Sequence, residues 1–405
     1  MTSGSTLASP QVPGPAWLPA IVRQHPVLVG LLIVVVSRIA VFAYAYAFPI
    51  TNEVGMPVSP TRIQPWIDFQ FYVDSLEFYR SNGPLDILRH YAGFYTGGRH
   101  WNLDQLISGP VFPALIALFD YREGHTVPLA VFYLLTSMAL AAFWLRWLAD
   151  QGMHAFGILL FALLPNPLWF MLNVTSDLPL AMLVALFIFY YRRPVWRRHD
   201  VALWVMLMLA CVMTRPNGAA VLLFVFLDLL FRVRLAPRQR LAVLLFIGGA
   251  GLTVGIYLLP YFLHEVRKVL EFELFFMSGY EYLEGIYPAL PVWLDKPLSW
   301  LSLAGAKLLY FVGLRPSFAG ISLDLLLLRS AAGLILLPGL LYLAFRGDRR
   351  DRLFVWIFFL PIFIGPTQDR YNLPIQGLLF FYGLQAYALL WQTMQRWRAR
   401  GPERV

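Results

Sequence analysis

Apolar residues run along this chain in long blocks rather than in the narrow stripes of amphipathic helices, and short polar or basic stretches separate the blocks. A helix that crosses a bilayer needs about 20 mostly apolar residues. Such runs lie near 27–48, 127–147, 154–173, 176–191, 200–214, 217–231, 241–263, 321–345, 353–366 and 373–392. The pattern predicts an all-α polytopic membrane protein with about 10 (9–12) transmembrane helices. Two further apolar stretches do not fit as spans. Residues 109–119 are too few to cross and are expected along the outer leaflet. Residues 298–314, with Lys307 in the middle, are expected as a re-entrant or interfacial helix on the outer side.

Composition agrees with this over the whole length. Hydrophobic residues make up 59% of the 405, charged residues only 14%, and mean hydropathy is +0.62, where a soluble domain carries about 25% charged residues. The net charge of +9 raises nucleic acid as a partner, but the distribution of the arginines removes it. They fall in four short groups: Arg192, Arg193, Arg197 and Arg198; Arg232, Arg234, Arg238 and Arg240; Arg346, Arg349, Arg350 and Arg352; and Arg396, Arg398, Arg400 and Arg404. Each group abuts an apolar block, which is the positive-inside pattern that orients helices in a bilayer. The basicity is topological.

Placing these groups in the cytoplasm sets the organisation. Residues 1–26 form a Ser- and Pro-rich cytoplasmic tail without the basic start and cleavage site of a secretory signal. Residues 27–392 form one transmembrane domain, and 393–405 a basic cytoplasmic tail. A long first extracytoplasmic loop covers 49–126, and a second large segment covers 264–320. The connections at 173–176, 214–218 and 366–373 also lie outside. Cys211 is the single cysteine and sits in an apolar block, so no intramolecular disulfide forms.

The first loop is too long for a plain connector, and its composition is not that of a disordered segment. Trp66, Phe69, Phe71, Tyr72, Tyr91, Tyr95 and Trp101 alternate with Asp68, Asp74, Glu77, Asp86 and Asp104. Rings beside carboxylates suit a sugar, whose apolar faces stack while its hydroxyls bond the acids. An interfacial aromatic belt explains the rings but not the acids. Asp68, just outside the bilayer, is positioned to act as general base on an acceptor hydroxyl. Arg38 lies mid-span in the first helix, where a charge costs roughly 2.5–3.5 kcal/mol on the insertion scale. It is expected to face the interior, paired with an acid (Asp177 or Asp228) or with a lipid phosphate. Arg215 and Arg370 fall at outer helix ends, where a guanidinium grips a phosphate bidentately; snorkelling is the alternative for each. In 264–297, His264-Glu265 has no second histidine at helical spacing, so no zinc site is expected.

The order of several short motifs resembles the GT-C glycosyltransferases, most closely the PIG-V-like mannosyltransferases. The residues that carry the resemblance are Trp66 and Asp68 with Tyr72, then Phe112-Pro113, Thr175-Ser176-Asp177, Thr214-Arg215-Pro216-Asn217-Gly218, and Asp369-Arg370-Tyr371-Asn372-Leu373-Pro374. They occur in the family's order, and the resemblance, loop order and topology included, runs from about residue 27 to 392. The chain departs from the family in having Ile67 between Trp66 and Asp68, Phe69 where a second acid is common, and Ser176-Asp177 where Ser-Glu is usual. The resemblance implies a GT-C-like bundle and transfer of mannose or another hexose from a polyprenyl-phosphate carrier to a glycan, lipid or protein acceptor on the extracytoplasmic face. In that reading Asp68 is the general base. Arg370, Tyr371, Arg215, Asn217, Tyr72, Trp66, Asp177, Arg38 and Lys307 bind the donor phosphate or substrate. No metal is demanded, although some GT-C enzymes use a divalent ion.

From the basic loops and the lack of a eukaryotic targeting signal, the chain is expected in a bacterial inner membrane with the reaction on the periplasmic side, as a maker of cell-envelope glycan; an endoplasmic reticulum protein would have the same topology. Two rival readings share the topology. One is a transporter or flippase of a lipid-linked glycan, for which the matched internal repeats and broken helices of transporters are not evident. The other is a non-catalytic membrane subunit of a transferase complex.

Overall fold

A computed structural model describes residues 17–51, 57–61, 111–120, 125–164, 171–172, 174–193, 195–232, 304–314, 323–364 and 369–399, with scattered positions in 73–81, 238–252 and at 301. The chain enters through α1 (Ala20–Gln24) and α2 (Pro26–Ala47), followed by a two-residue antiparallel ladder of β1 (Ile50–Thr51) with β2 (Pro57–Val58). Then come α3 (Val111–Leu118), α4 (Val127–Asp150), α5 (Ala155–Ala162), α6 (Asp177–Tyr191), α7 (Arg198–Thr214), a 3-10 turn (Pro216–Gly218) and α8 (Ala219–Arg232). A helical stretch at 304–311 precedes α9 (Leu323–Arg346) and α10 (Arg349–Ile364). A seven-residue 3-10 segment (Asp369–Ile375) leads into α11 (Gln376–Ala399).

Helix starts follow from local chemistry. Pro26 and Pro128 occupy the first turns of α2 and α4, where a missing N–H costs nothing. The Asp200 carboxylate accepts from the Arg197 N–H at 3.0 Å and from Arg193 at 2.5 Å, anchoring the start of α7. Among the described residues the fold is helical, with one short ladder as exception. Among the described residues three helices are long and apolar enough to cross a membrane: Pro26–Ala47, Val127–Asp150 and Arg370–Arg398. Asp177–Tyr191, Ala219–Leu230 and Ser330–Arg346 are apolar but shorter. At 1.5 Å per residue α6 reaches only about 22 Å, less than the roughly 30 Å hydrocarbon layer.

The core joins these helices through large rings. Trp144 of α4 is buried against α11, where a Cβ on Gly377 would come within 2.1 Å of the indole. Phe161 meets Phe380, and Trp147 meets Phe381. α3 is not a purely superficial helix: Phe112 and Ile116 are buried in the common core, while Ala114 and Leu118 are exposed.

α9 and α11 make the most extensive contact between described helices, through two glycines. A Cβ on Gly339 would sit 1.9 Å from the Leu379 carbonyl oxygen, and one on Gly383 would sit 2.2 Å from that of Ile335. Tyr387 donates to the Leu334 carbonyl at 2.6 Å. Numbers fall along α9 as they rise along α11, so the pair is antiparallel. Strict alternation of the runs at 321–345, 353–366 and 373–392 makes it parallel. α10 packs on α8 and shares little contact with α9.

Candidate functional site

Three chain segments that are far apart in sequence meet at one end of the bundle. They are the start of α6, the link between α7 and α8, and the 3-10 segment before α11. The link needs its glycine, because a Cβ on Gly218 would fall 2.0 Å from the Cys211 carbonyl oxygen. That tight reversal, in which the Gly218 N–H donates to the Arg215 carbonyl at 2.9 Å, leaves Arg215 extended at the end of α7 and turned toward α6.

Arg215 donates to Asp177 Oδ1 at 2.7 Å, to Ser176 Oγ at 3.3 Å and to the Tyr371 hydroxyl at 3.2 Å. Arg370 Nε lies 3.4 Å from Asp177 Oδ2, and Thr175 Oγ1 donates to the same oxygen at 3.0 Å. Both guanidiniums also lie over the Tyr371 ring, at 4.9 Å and 5.4 Å from its centre, close enough for cation–π attraction. Asp177, Arg215, Arg370, Tyr371 and Ser176 are all buried. One carboxylate therefore orients two arginines from two other elements.

Beneath this cluster, Tyr133 of α4 donates to the Thr175 carbonyl. Four residues further along the same helix face, Ser137 accepts from Arg38 Nε at 2.9 Å. Arg38 is nine residues before the C-terminal end of α2, and Ser137 is ten residues after the start of α4, so both sit about 15 Å from their helix ends. The expected burial of Arg38 holds at 2% exposure. Its expected acidic partner does not: Asp177 is committed to Arg215 and Arg370, and Asp228 to Tyr191 and Arg350. Arg38 instead uses the Ser137 hydroxyl and the Val34 carbonyl at 3.5 Å, because Ser137 is the polar group that α4 presents at that depth.

Of the sequence-derived candidates, Arg215, Asp177, Arg370 and Tyr371 come together. Asn217 lies in the same link, in the 3-10 turn. Lys307 is buried in the helical stretch at 304–311, which is tied to the site through Asn372 Nδ2 donating to the Phe311 carbonyl at 2.6 Å. Trp66, Asp68 and Tyr72 lie outside the described residues. Tyr133 and Ser137 were not singled out in the sequence; the signal for them was a run of hydroxyl side chains, Tyr133, Thr136 and Ser137, on a helix otherwise apolar. Among the described residues no three His, Cys, Asp or Glu side chains form a metal-holding group.

No family model, curated protein or solved structure matches the chain.

Proposed function

We propose that this chain is a GT-C-type membrane glycosyltransferase, most like the PIG-V-like mannosyltransferases, which moves a hexose from a polyprenyl-phosphate carrier to an acceptor at the extracytoplasmic face. The observation that supports the reading is the meeting of Asp177, Arg215, Arg370 and Tyr371. Three of the five motifs that carry the family resemblance are distant in sequence, yet their side chains share one buried cluster. Arginine offers a planar fork suited to phosphate oxygens, and Asp177 holds both forks in fixed orientation. In the proposed reaction the acceptor hydroxyl attacks the anomeric carbon with inversion. The new carbon–oxygen bond forms as the bond to the carrier phosphate breaks, and the hydroxyl proton passes to Asp68. The departing electron pair stays on the polyprenyl phosphate, whose charge Arg215 and Arg370 stabilise, as preorganised donors do at developing anions. Such a leaving group needs no second acid, so Phe69 beside Asp68 is compatible with the mechanism.

The full reading includes a bundle of about ten spans, a bacterial inner membrane and a periplasmic site, all resting on the apolar runs and arginine groups. The deciding experiment is mass-spectrometric profiling of envelope lipids and glycans in a deletion strain carrying wild type or Asp68→Asn at equal membrane abundance. Wild type is expected to restore a product one hexose larger, and the variant to accumulate its precursor. Full restoration by Asp68→Asn removes the general-base role and favours a transporter or an accessory subunit.

A further inference from the structure

The turn that opens α6 is held by two hydroxyl side chains, those of Tyr133 and Thr175, that the transfer chemistry does not use. Ser176 stands at the N-cap position, and its carbonyl accepts from the Leu180 N–H at 3.0 Å, the first bond of the helix. The Thr175 carbonyl, one residue earlier, lies outside that ladder, and a buried carbonyl needs a donor from elsewhere. Tyr133 of α4 supplies it. Ser176 makes no side-chain cap to α6; its Oγ accepts from Arg215 instead. A threonine beside a helix start commonly bonds nearby backbone, but the Thr175 hydroxyl donates to the Asp177 side chain. Tyr133, Thr175 and Ser176 are all buried, so the protein alone sets this turn.

We propose that Thr175 is a positioning residue that divides the Asp177 carboxylate between Arg215 and Arg370, and that Tyr133 holds Thr175 in place to do so. This role rests on the transferase reading. Asp177 offers two oxygens with different partners. Oδ1 accepts from Arg215 at 2.7 Å, while Oδ2 accepts from Thr175 Oγ1 at 3.0 Å and faces Arg370 Nε at 3.4 Å. Each carboxylate oxygen has about two acceptor sites, so on Oδ2 the threonine takes one and leaves one toward Arg370. An arginine fork beside an open carboxylate tends to engage both oxygens through two parallel bonds. The Thr175 hydroxyl keeps Arg215 on Oδ1, from which it also reaches Ser176 and Tyr371. Without that hydroxyl Arg215 closes on both oxygens, and Arg370 loses the orientation it takes from Oδ2. Two guanidiniums serve one departing phosphate only while their spacing matches the developing anion.

The test compares purified full-length wild type with Thr175→Val, Thr175→Ser and Tyr133→Phe, each shown to be folded by thermal unfolding. The donor is a purified polyprenyl-phosphate hexose, and the acceptor source is an envelope extract of the deletion strain. Valine keeps the shape of threonine and removes the hydroxyl, whereas serine keeps the hydroxyl and removes the methyl. Thr175→Val is expected to lower kcat roughly 10- to 100-fold, up to the cost of misplacing a positioned group by about 1 Å. Its KM for the donor is expected to stay unchanged, as for an interaction made only in the transition state. Thr175→Ser is expected to keep the wild-type kcat, and Tyr133→Phe to lose kcat in the same manner but less. Where the valine variant does not fold, Tyr133→Phe decides by the same kcat criterion. A wild-type kcat in folded Thr175→Val overturns the proposal and leaves the transferase reading standing. An equal loss in Thr175→Val and Thr175→Ser, or a loss confined to KM, overturns it in the same way, because packing and not the hydroxyl then sets the rate. Absence of transfer by wild type overturns the transferase reading and the proposal with it.

Discussion

Arg215 reaches from the α7–α8 link to Asp177, the first residue of α6, and closes a 2.7 Å ion pair inside the bundle. Asp177 also faces Arg370 at 3.4 Å, so removing this carboxylate leaves two buried guanidiniums facing an amide. Breaking a buried pair in this way costs about 3–5 kcal/mol. Asp177→Asn is therefore expected to lower the unfolding temperature in detergent markedly and to abolish product formation. A variant as stable as wild type would show that the pair does not orient the site.

Arg215→Lys separates charge from geometry. Lysine keeps the cation but loses the fork that reaches Asp177, Ser176 and Tyr371 together. Transfer from a purified polyprenyl-phosphate hexose is expected to fall roughly 10²-fold, the lower range for losing one preorganised donor at a developing anion, at unchanged membrane abundance. Near-normal turnover would remove Arg215 from the donor-phosphate site.

Arg38 gives the reverse combination. Its described partners are the Ser137 hydroxyl and the Val34 carbonyl, neither of which offsets a charge costing roughly 2.5–3.5 kcal/mol at mid-span on the insertion scale. Arg38→Leu is expected to be at least as stable as wild type by thermal unfolding and yet to produce less glycan. A stable variant with full product would mean that Arg38 does not bind substrate.

The α9–α11 crossing depends on the absence of side chains at two places. Gly339→Leu drives a side chain into the Leu379 carbonyl, where even a Cβ would stand at 1.9 Å. Overpacking costs about 1–3 kcal/mol or more. Size-exclusion chromatography is expected to show loss of the monodisperse peak, while Gly305→Ala, with nothing within 4 Å of its Cβ, leaves it intact.

What the sequence made legible follows from which interactions are local. Helix identities are legible because each apolar block and each flanking proline or arginine acts on its own segment. Membership of the Asp177 cluster is legible because the motif order and the positive-inside rule place 173–176, 214–218 and 366–373 on one side. Pairings across helices are less so. Arg38 was expected to pair with an acid or a lipid phosphate, but which side chain faces it depends on the rotation of α4, and Ser137 occupies that position. The antiparallel α9–α11 contact was likewise hidden, because glycines such as Gly339 and Gly383 lower apparent helix strength without revealing which backbone they admit. The shortness of α6 was partly visible, since Ser176-Asp177 and Arg192-Arg193 bound its apolar run closely.

α6 has a mechanical consequence. It is one uninterrupted rod of fifteen residues, clamped at its first residue by Arg215 and Arg370 and at its last turn by Asp228 and Asp351 through Tyr191 and Arg192. A rod held at both tips transmits any twist or axial slip from one tip to the other. A displacement imposed at the Arg192 tip is therefore felt at the Asp177 carboxylate, fifteen residues away along one rod.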